Sequence, residues 1–217
     1  MSGSTSTTSD TIESCQVVMD LTIHRIDLIR YMLSRDFTAV CATLQHSAMP
    51  VPLDDNIHVI AEMGDGVAGV ISSERFCPVP GDLTEFYGTE GSLHLIEEAT
   101  TVSSPTPLAV FVNRRFDDLP ADIRAAWYPR SKPRRMSGGG FDGWIALSPP
   151  RNDPYATQIE VFADLISGRK PRLPSASGLD GLRANEFVLA SHMSMIERRW
   201  VDLPLSPKSE WIVPSFE

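Results

Sequence analysis

The 217-residue sequence predicts an α+β fold built around a mainly antiparallel sheet. Three observations point there. A long helix signal opens the patterned part of the chain, short β-branched segments follow in hairpin-like succession, and two further helix signals come near the end. No βαβ alternation interrupts this order, and no internal repeat is present. Residues 14–217 are expected to form one domain, preceded by a flexible tail over residues 1–13 that is rich in Ser and Thr.

Each element has a local reason. Apolar residues recur at helical spacing from Val17 to Leu33. Val40, Ala42 and Leu44 then alternate within a strand expected over Thr38–Met49, which Pro50 and Pro52 end. Strands are expected over Asn56–Met63 and Val67–Phe76. Ile57, Val59, Ala61 and Met63 share one face; Asn56, His58 and Glu62 share the other with Ile60. Shorter strands fit Leu83–Tyr87, Ser92–Glu97 and Leu108–Phe116. From Asp117 to Pro150 the pattern dissolves into Pro, Gly and basic residues, as in a functional or mobile loop. Asp153 and Pro154 then supply an N-cap and a favourable first helical residue. Tyr155, Ile159, Phe162 and Ile166 recur at helical spacing until Gly168 stops the helix. A last helix is expected over Leu179–Arg199, with a short strand around Trp200–Leu203.

Composition removes whole classes of function. Net charge is −9, from 19 basic and 28 acidic residues, which disfavours nucleic acid and anionic membranes as main partners. No apolar run approaches the roughly 18 residues that a membrane span needs. Met1–Asp10 has neither the basic start nor the apolar stretch of a secretory signal. Cys15, Cys41 and Cys77 are an odd set with no C-x-x-C spacing, which reads as reduced thiols in a cytoplasmic protein.

One nucleotide motif occurs literally: Gly64-Asp65-Gly66-Val67-Ala68-Gly69 fits G-x-G-x-x-G. A dinucleotide loop needs a helix opening on the glycines. Here β-branched residues run straight on through Val67, Val70 and Ile71, so an Asp-Gly hairpin turn is the better reading. No P-loop and no Gly-x-Ser-x-Gly elbow is found.

The informative cluster lies on the first helix. At 100° per residue, Asp20, His24, Asp27 and Tyr31 fall within about 60° of one another. Most of the remaining surface is apolar, and ionisable groups are costly to bury unless paired. Two flanking carboxylates would stabilise an imidazolium, which suits His24 to move a proton as acid or base. The bland alternatives are a structural ion-pair triad or a stripe facing water, and residue types alone do not separate them. No metal site is expected, because the trio lacks a third strong ligand at a diagnostic spacing. His94 and His192 read as packing residues, while His46 and His58 could face a cleft or solvent. Arg130, Lys132, Arg134 and Arg135 read as a solvated loop, with capture of an anionic substrate as the alternative.

Assembled in order, these segments resemble the C-terminal half of the glucose–fructose oxidoreductase / inositol dehydrogenase (Gfo/Idh/MocA) family, from about Val17 to Leu203. The carriers are Asp20-x3-His24-x2-Asp27, then DNIHVIAEMGDGVAGVIS, then Gly88-Thr-Glu-Gly-Ser-Leu93. DPYATQIEVFADLISGRKP and a Gly-Leu-Asp-Gly-Leu helix complete them. The resemblance implies an open, largely antiparallel sheet with helices packed on one face, oligomerising through that sheet. It implies that His24 is the catalytic histidine and that Asp20 binds or orients substrate. Asp27, Tyr31, His58 and Tyr155 are the candidate substrate-binding residues.

The same resemblance implies sugars, cyclitols or related polyols as substrates, oxidised or reduced with NAD(H) or NADP(H). Yet no Rossmann half is read in these residues, and no Glu-Lys-Pro motif: the lysines are Lys132, Lys170 and Lys208. Ser14-Cys15-Gln16 stands where the family commonly has paired glycines. The chain alone is therefore expected to bind no cofactor; NAD or NADP enters only with a separate Rossmann subunit. Three functions follow: the substrate domain of a split oxidoreductase, a cofactor-independent acid–base enzyme using His24, or a non-catalytic binding or oligomerisation module.

Overall fold

The computed structural model describes residues 17–48, 53–76, 83–96, 108–113, 116–125, 144–147 and 152–206. The expected tail, Pro50, Pro52, Cys15, Cys77 and the basic run at 130–135 lie outside them. The chain divides into two compact units, Met1–Cys77 with Gly168–Glu217, and Pro78–Ser167. Each is described by itself.

In the first unit the opening helix is not one continuous α-helix, as periodicity predicts. Val18–Thr22 winds as a π-turn, closed by the Ile23 amide donating to the Val18 carbonyl, and an α-helix, α1, follows over Ile23–Leu33. The Thr22 hydroxyl donates to the Val17 carbonyl at 3.2 Å, occupying an acceptor that an α-turn would offer to a backbone amide. The start is capped from a distance. Asp54, fully buried, accepts the Val17 amide on its carbonyl and the Val18 amide on Oδ2, both at 3.0 Å. α1 ends at Ser34, which takes the left-handed conformation with φ 51°.

Strands β1 (Ala39–Gln45), β2 (Asn56–Glu62) and β3 (Ala68–Glu74) follow as an antiparallel meander. The Gly64–Gly69 segment is the β2–β3 turn and the start of β3, as the sequence predicts. Gly64, Asp65 and Gly66 all have positive φ, and the Met63 amide bonds the Val67 carbonyl at 2.9 Å. A helix, α4, runs over Gly178–Glu197, and β8 (Val201–Asp202) joins the far edge of β1. Its sheet order is β3-β2-β1-β8.

One face of this sheet makes the core. Val40, Leu44, Ile57, Val59 and Ala61 pack with Val17, Val18 and Ile26 at the helix start and with Phe187 and Val188 of α4. The Phe37 and Phe187 rings meet edge to face, 4.5 Å between centroids. Burial of this apolar set, not helix propensity, holds the helices in place. The opposite face is open: Ile60 and Val70 are exposed. α4 begins with a reciprocal capping box between Ser177 and Asp180. His192 sits fully buried with its Nε2 3.8 Å from Asp54 Oδ1.

The second unit holds β4 (Leu83–Gly88), β5 (Gly91–Ile96), β6 (Leu108–Val112) and β7 (Trp144–Leu147), antiparallel in that order. Gly91 is obligatory: a Cβ there would stand 2.1 Å from the Phe111 carbonyl oxygen. A short helix, α2 (Ala121–Ala125), and β7 occupy the stretch that the sequence reads as irregular. Four- and five-residue elements are too short to show a period. α3 (Pro154–Ile166) starts as expected, with Asp153 Oδ1 accepting the Tyr155 and Ala156 amides at 2.9 and 3.2 Å. The fold is thus α+β and antiparallel, with the described strands in two four-stranded sheets, not one.

Candidate functional site

The π-turn and α1 present Asp20, His24, Asp27 and Tyr31 along a surface whose other side is sunk in the core. His24 and Tyr31 are exposed, and Asp27 is half-buried. Among the described residues, no hydrogen bond or ion pair links His24 to either flanking carboxylate. Each acid is claimed by its own arginine instead. Asp20 Oδ2 accepts from Arg75 Nη2, and Asp27 Oδ1 lies 3.5 Å from Arg30 Nη1. The linked carboxylate–imidazole–carboxylate triad that the spacing suggests is therefore replaced by two arginine–aspartate pairs flanking a free imidazole.

The two arginines are held by different elements. Arg75 follows β3, where its amide donates to the Asp55 carbonyl at 3.0 Å. Its Nε is buried and has no acceptor among the described residues. Arg30 is buried on α1 and gathers several acceptors. Its Nε and Nη2 donate to Asp36 Oδ1 at 2.9 and 2.6 Å, and Nη1 and Nη2 reach the Asp180 carbonyl and Oδ1 at 3.3 Å. Asp180 is the third residue of α4 and the acidic half of its capping box with Ser177. Its carboxyl lies below the ordinary aspartate range because the Ser177 amide and hydroxyl donate to it, with Arg30 adding to the effect.

The other candidates sit elsewhere. Ile57 and Val59 point into the core, so His58 between them projects from the opposite sheet face. There its Nδ1 lies 2.6 Å from Ser72 Oγ and 3.7 Å from Glu74 Oε1. The structure does not bring it to the Asp20–His24 stripe. Tyr155 is exposed at the start of α3, in the other unit. His46 bonds the Leu53 carbonyl, and His94 lies 3.2 Å from Glu85 across the β4–β5 pair. Among the described residues no group of three or more His, Cys, Asp or Glu could hold a metal ion. Cys41 is a free, partly buried thiol. A cleft of about 130 Å³ opens beside Arg30 and Arg183, lined also by Phe37 and Leu203; His24 is not part of it. No helix among the described residues is long and apolar enough to cross a membrane.

Arg75 is the residue that sequence reasoning missed. It stands 55 positions from Asp20, at the end of a strand, and no periodicity connects the two.

Residues 4–94, which contain the whole of this stripe and β1 to β3, match the model of the GFO/IDH/MocA C-terminal domain. The fold of the GFO/IDH/MocA C-terminal domain extends over most of the chain. An oxidoreductase from Agrobacterium radiobacter, solved with NAD+, L-tartaric acid and magnesium, superposes with a TM-score of 0.57 at 18% identity. That match covers 87% of this chain and 49% of the other. UDP-N-acetylglucosamine 3-dehydrogenase from Acidithiobacillus ferrooxidans gives a TM-score of 0.61 at 16% identity, covering 84% and 49%. An aldose–aldose oxidoreductase from Caulobacter crescentus, complexed with glycerol, gives 0.56 at 17% identity, covering 86% and 47%. The chain thus spans about half the length of these solved relatives. No curated protein matches its sequence.

Proposed function

We propose that this chain is the substrate-side domain of an NAD(P)-dependent sugar or polyol oxidoreductase, working with a separate nucleotide-binding Rossmann polypeptide. His24 is its proton-transfer residue. The observation that carries the reading is an imidazole left free and exposed on a helix that is otherwise anchored in the core, one turn after Asp20. The GFO/IDH/MocA match over the same residues supports it.

The described residues do not fit a dinucleotide. The Gly64–Gly69 motif among them is a hairpin turn that runs into a strand, so it offers no helix N-terminus to a pyrophosphate. Hydride exchange is the chemistry that a nicotinamide on the partner would supply, and no step through it is derived from this chain. The chain's own contribution is proton transfer. Neutral His24 takes the proton of a substrate hydroxyl as that carbon is oxidised, and the imidazolium returns it in the reverse direction. Asp20, with one oxygen on Arg75, accepts a substrate hydroxyl with the other. Asp27 and Tyr31 extend the polar strip for a polyhydroxylated ligand. A partner closing over this exposed strip would supply the concave wall that substrate binding needs. Ile60 and Val70 on the open sheet face suit self-association.

The test is reconstitution. The chain is co-expressed with Rossmann-type proteins encoded beside it, and NAD(P)+ reduction is followed at 340 nm against a panel of aldoses and polyols. Turnover is expected only in the complex. His24→Ala should lower it about 10²-fold or more, while His46→Ala should leave it unchanged. Equal turnover in His24→Ala would overturn the reading. Cofactor-free turnover that needs His24 would favour an acid–base isomerase or lyase instead. Full stability with no activity and no partner would leave a binding or oligomerisation module.

A further inference from the structure

We propose that Arg75 is a positioning residue of the His24 site: by pairing with Asp20 it keeps that carboxylate off the imidazole and leaves His24 free to meet its substrate. The inference rests on His24 as the proton-transfer residue and adds the group that controls its surroundings.

Asp20 and His24 are four residues apart, a spacing at which a carboxylate and an imidazole on one helix meet and pair. In this protein they do not pair. Asp20 turns to Arg75 across the gap between the π-turn and the end of β3. Arg75 is not a loose surface arginine. Its backbone is tied to Asp55, which is itself fully buried and accepts the Ser47 and Ala48 amides at 2.8 and 2.7 Å. Its side chain is 23% exposed, against 49% for Asp20. Burying the Nε donor without an acceptor is unfavourable, so other contacts must hold the guanidinium there, and the bond to Asp20 is one of them. On the other flank Asp27 Oδ1 lies 3.5 Å from Arg30 Nη1. The imidazole therefore lies between two carboxylates that each face an arginine instead of the ring, and Asp20 keeps one oxygen for a ligand.

The experiment needs no substrate. Carbethoxylation of His24 by diethyl pyrocarbonate is followed by mass spectrometry at neutral pH in the full chain. In Arg75→Met the freed Asp20 charge acts on the imidazole, and His24 should react roughly three- to tenfold more slowly. Asp20→Asn in the Arg75→Met background should restore the original rate, and Arg75→Lys should keep it. Backbone amide NMR spectra check that each variant is folded. Unchanged reactivity in Arg75→Met would overturn the proposal, as would a slowing that Asp20→Asn does not reverse. If Arg75→Met fails to fold, Asp20→Asn alone decides. The rate should stay within about twofold of the parent, because the Asp20 charge is already neutralised, and a rise of threefold or more would overturn the proposal. Failed rates with intact turnover would remove the role of Arg75 alone; intact rates with no His24-dependent turnover would remove the catalytic reading.

Discussion

Replacing Arg30 by alanine tests the network that ties α1 to α4. The side chain is 9% exposed, and its three carboxylate partners Asp27, Asp36 and Asp180 are 47, 55 and 37% exposed. That asymmetry sets the magnitude. Removing the arginine strands no buried charge, because the acids stay hydrated, so the larger penalty of a broken, fully buried pair does not apply. What is lost is the short two-nitrogen hold on Asp36 and the bonds to Asp180 across 150 residues. Hydrogen bonds to charged groups contribute about 1.5–3 kcal/mol, and the buried aliphatic stem adds about 1 kcal/mol. The arginine's own desolvation cost, recovered on removal, offsets part of this. A net loss of about 3 kcal/mol is expected, a fall in Tm of roughly 6–12 °C for a chain of this size. Arg30→Met restores the stem and should recover about 1 kcal/mol of it. Urea unfolding followed by circular dichroism measures both. A loss under about 1 kcal/mol in Arg30→Ala would mean that the network behaves as an ordinary surface ion pair, and the reasoning would fail.

Two further outcomes follow from local geometry. Gly91→Ala places a methyl group against the backbone oxygen of Phe111, which cannot swing aside. Unfolding should be easier by about 2 kcal/mol or more, with β4–β6 amides losing hydrogen-exchange protection first; parent-like protection would contradict the close approach. Asp180 is held below the ordinary aspartate range by Ser177 first and Arg30 second. Its stabilisation is therefore complete above the unfolded-state value near pH 4 and is lost as pH falls through the lower folded-state value. Thermal melts between pH 6 and pH 2.5 should show the parent losing more stability than Asp180→Asn; parallel decline in the two would remove the cap's role.

Much of the architecture was legible because it is local. The β2–β3 hairpin could be read from Gly64-Asp65-Gly66 and the alternation of Ile57, Val59 and Ala61, since both are set within a few residues. The start of α3 was readable for the same reason: Asp153 and Pro154 cap a helix wherever they stand. The π-turn was not, because a Thr22 hydroxyl on the Val17 carbonyl and an Asp54 cap from 36 residues away leave no periodic trace. α2 and β7 escaped as well, being too short for any period.

The sequence by itself determined that His24, Asp27 and Tyr31 share one side of a helix, because helical spacing alone fixes that neighbourhood. Only the tertiary structure decided the long-range ion pairs. It brought Arg75 from the end of β3 to Asp20, and Arg30 of α1 to Asp180 of α4. Ion pairs form between whatever charges the packed chain brings within a few ångströms, and that proximity belongs to the fold, not to spacing along the chain.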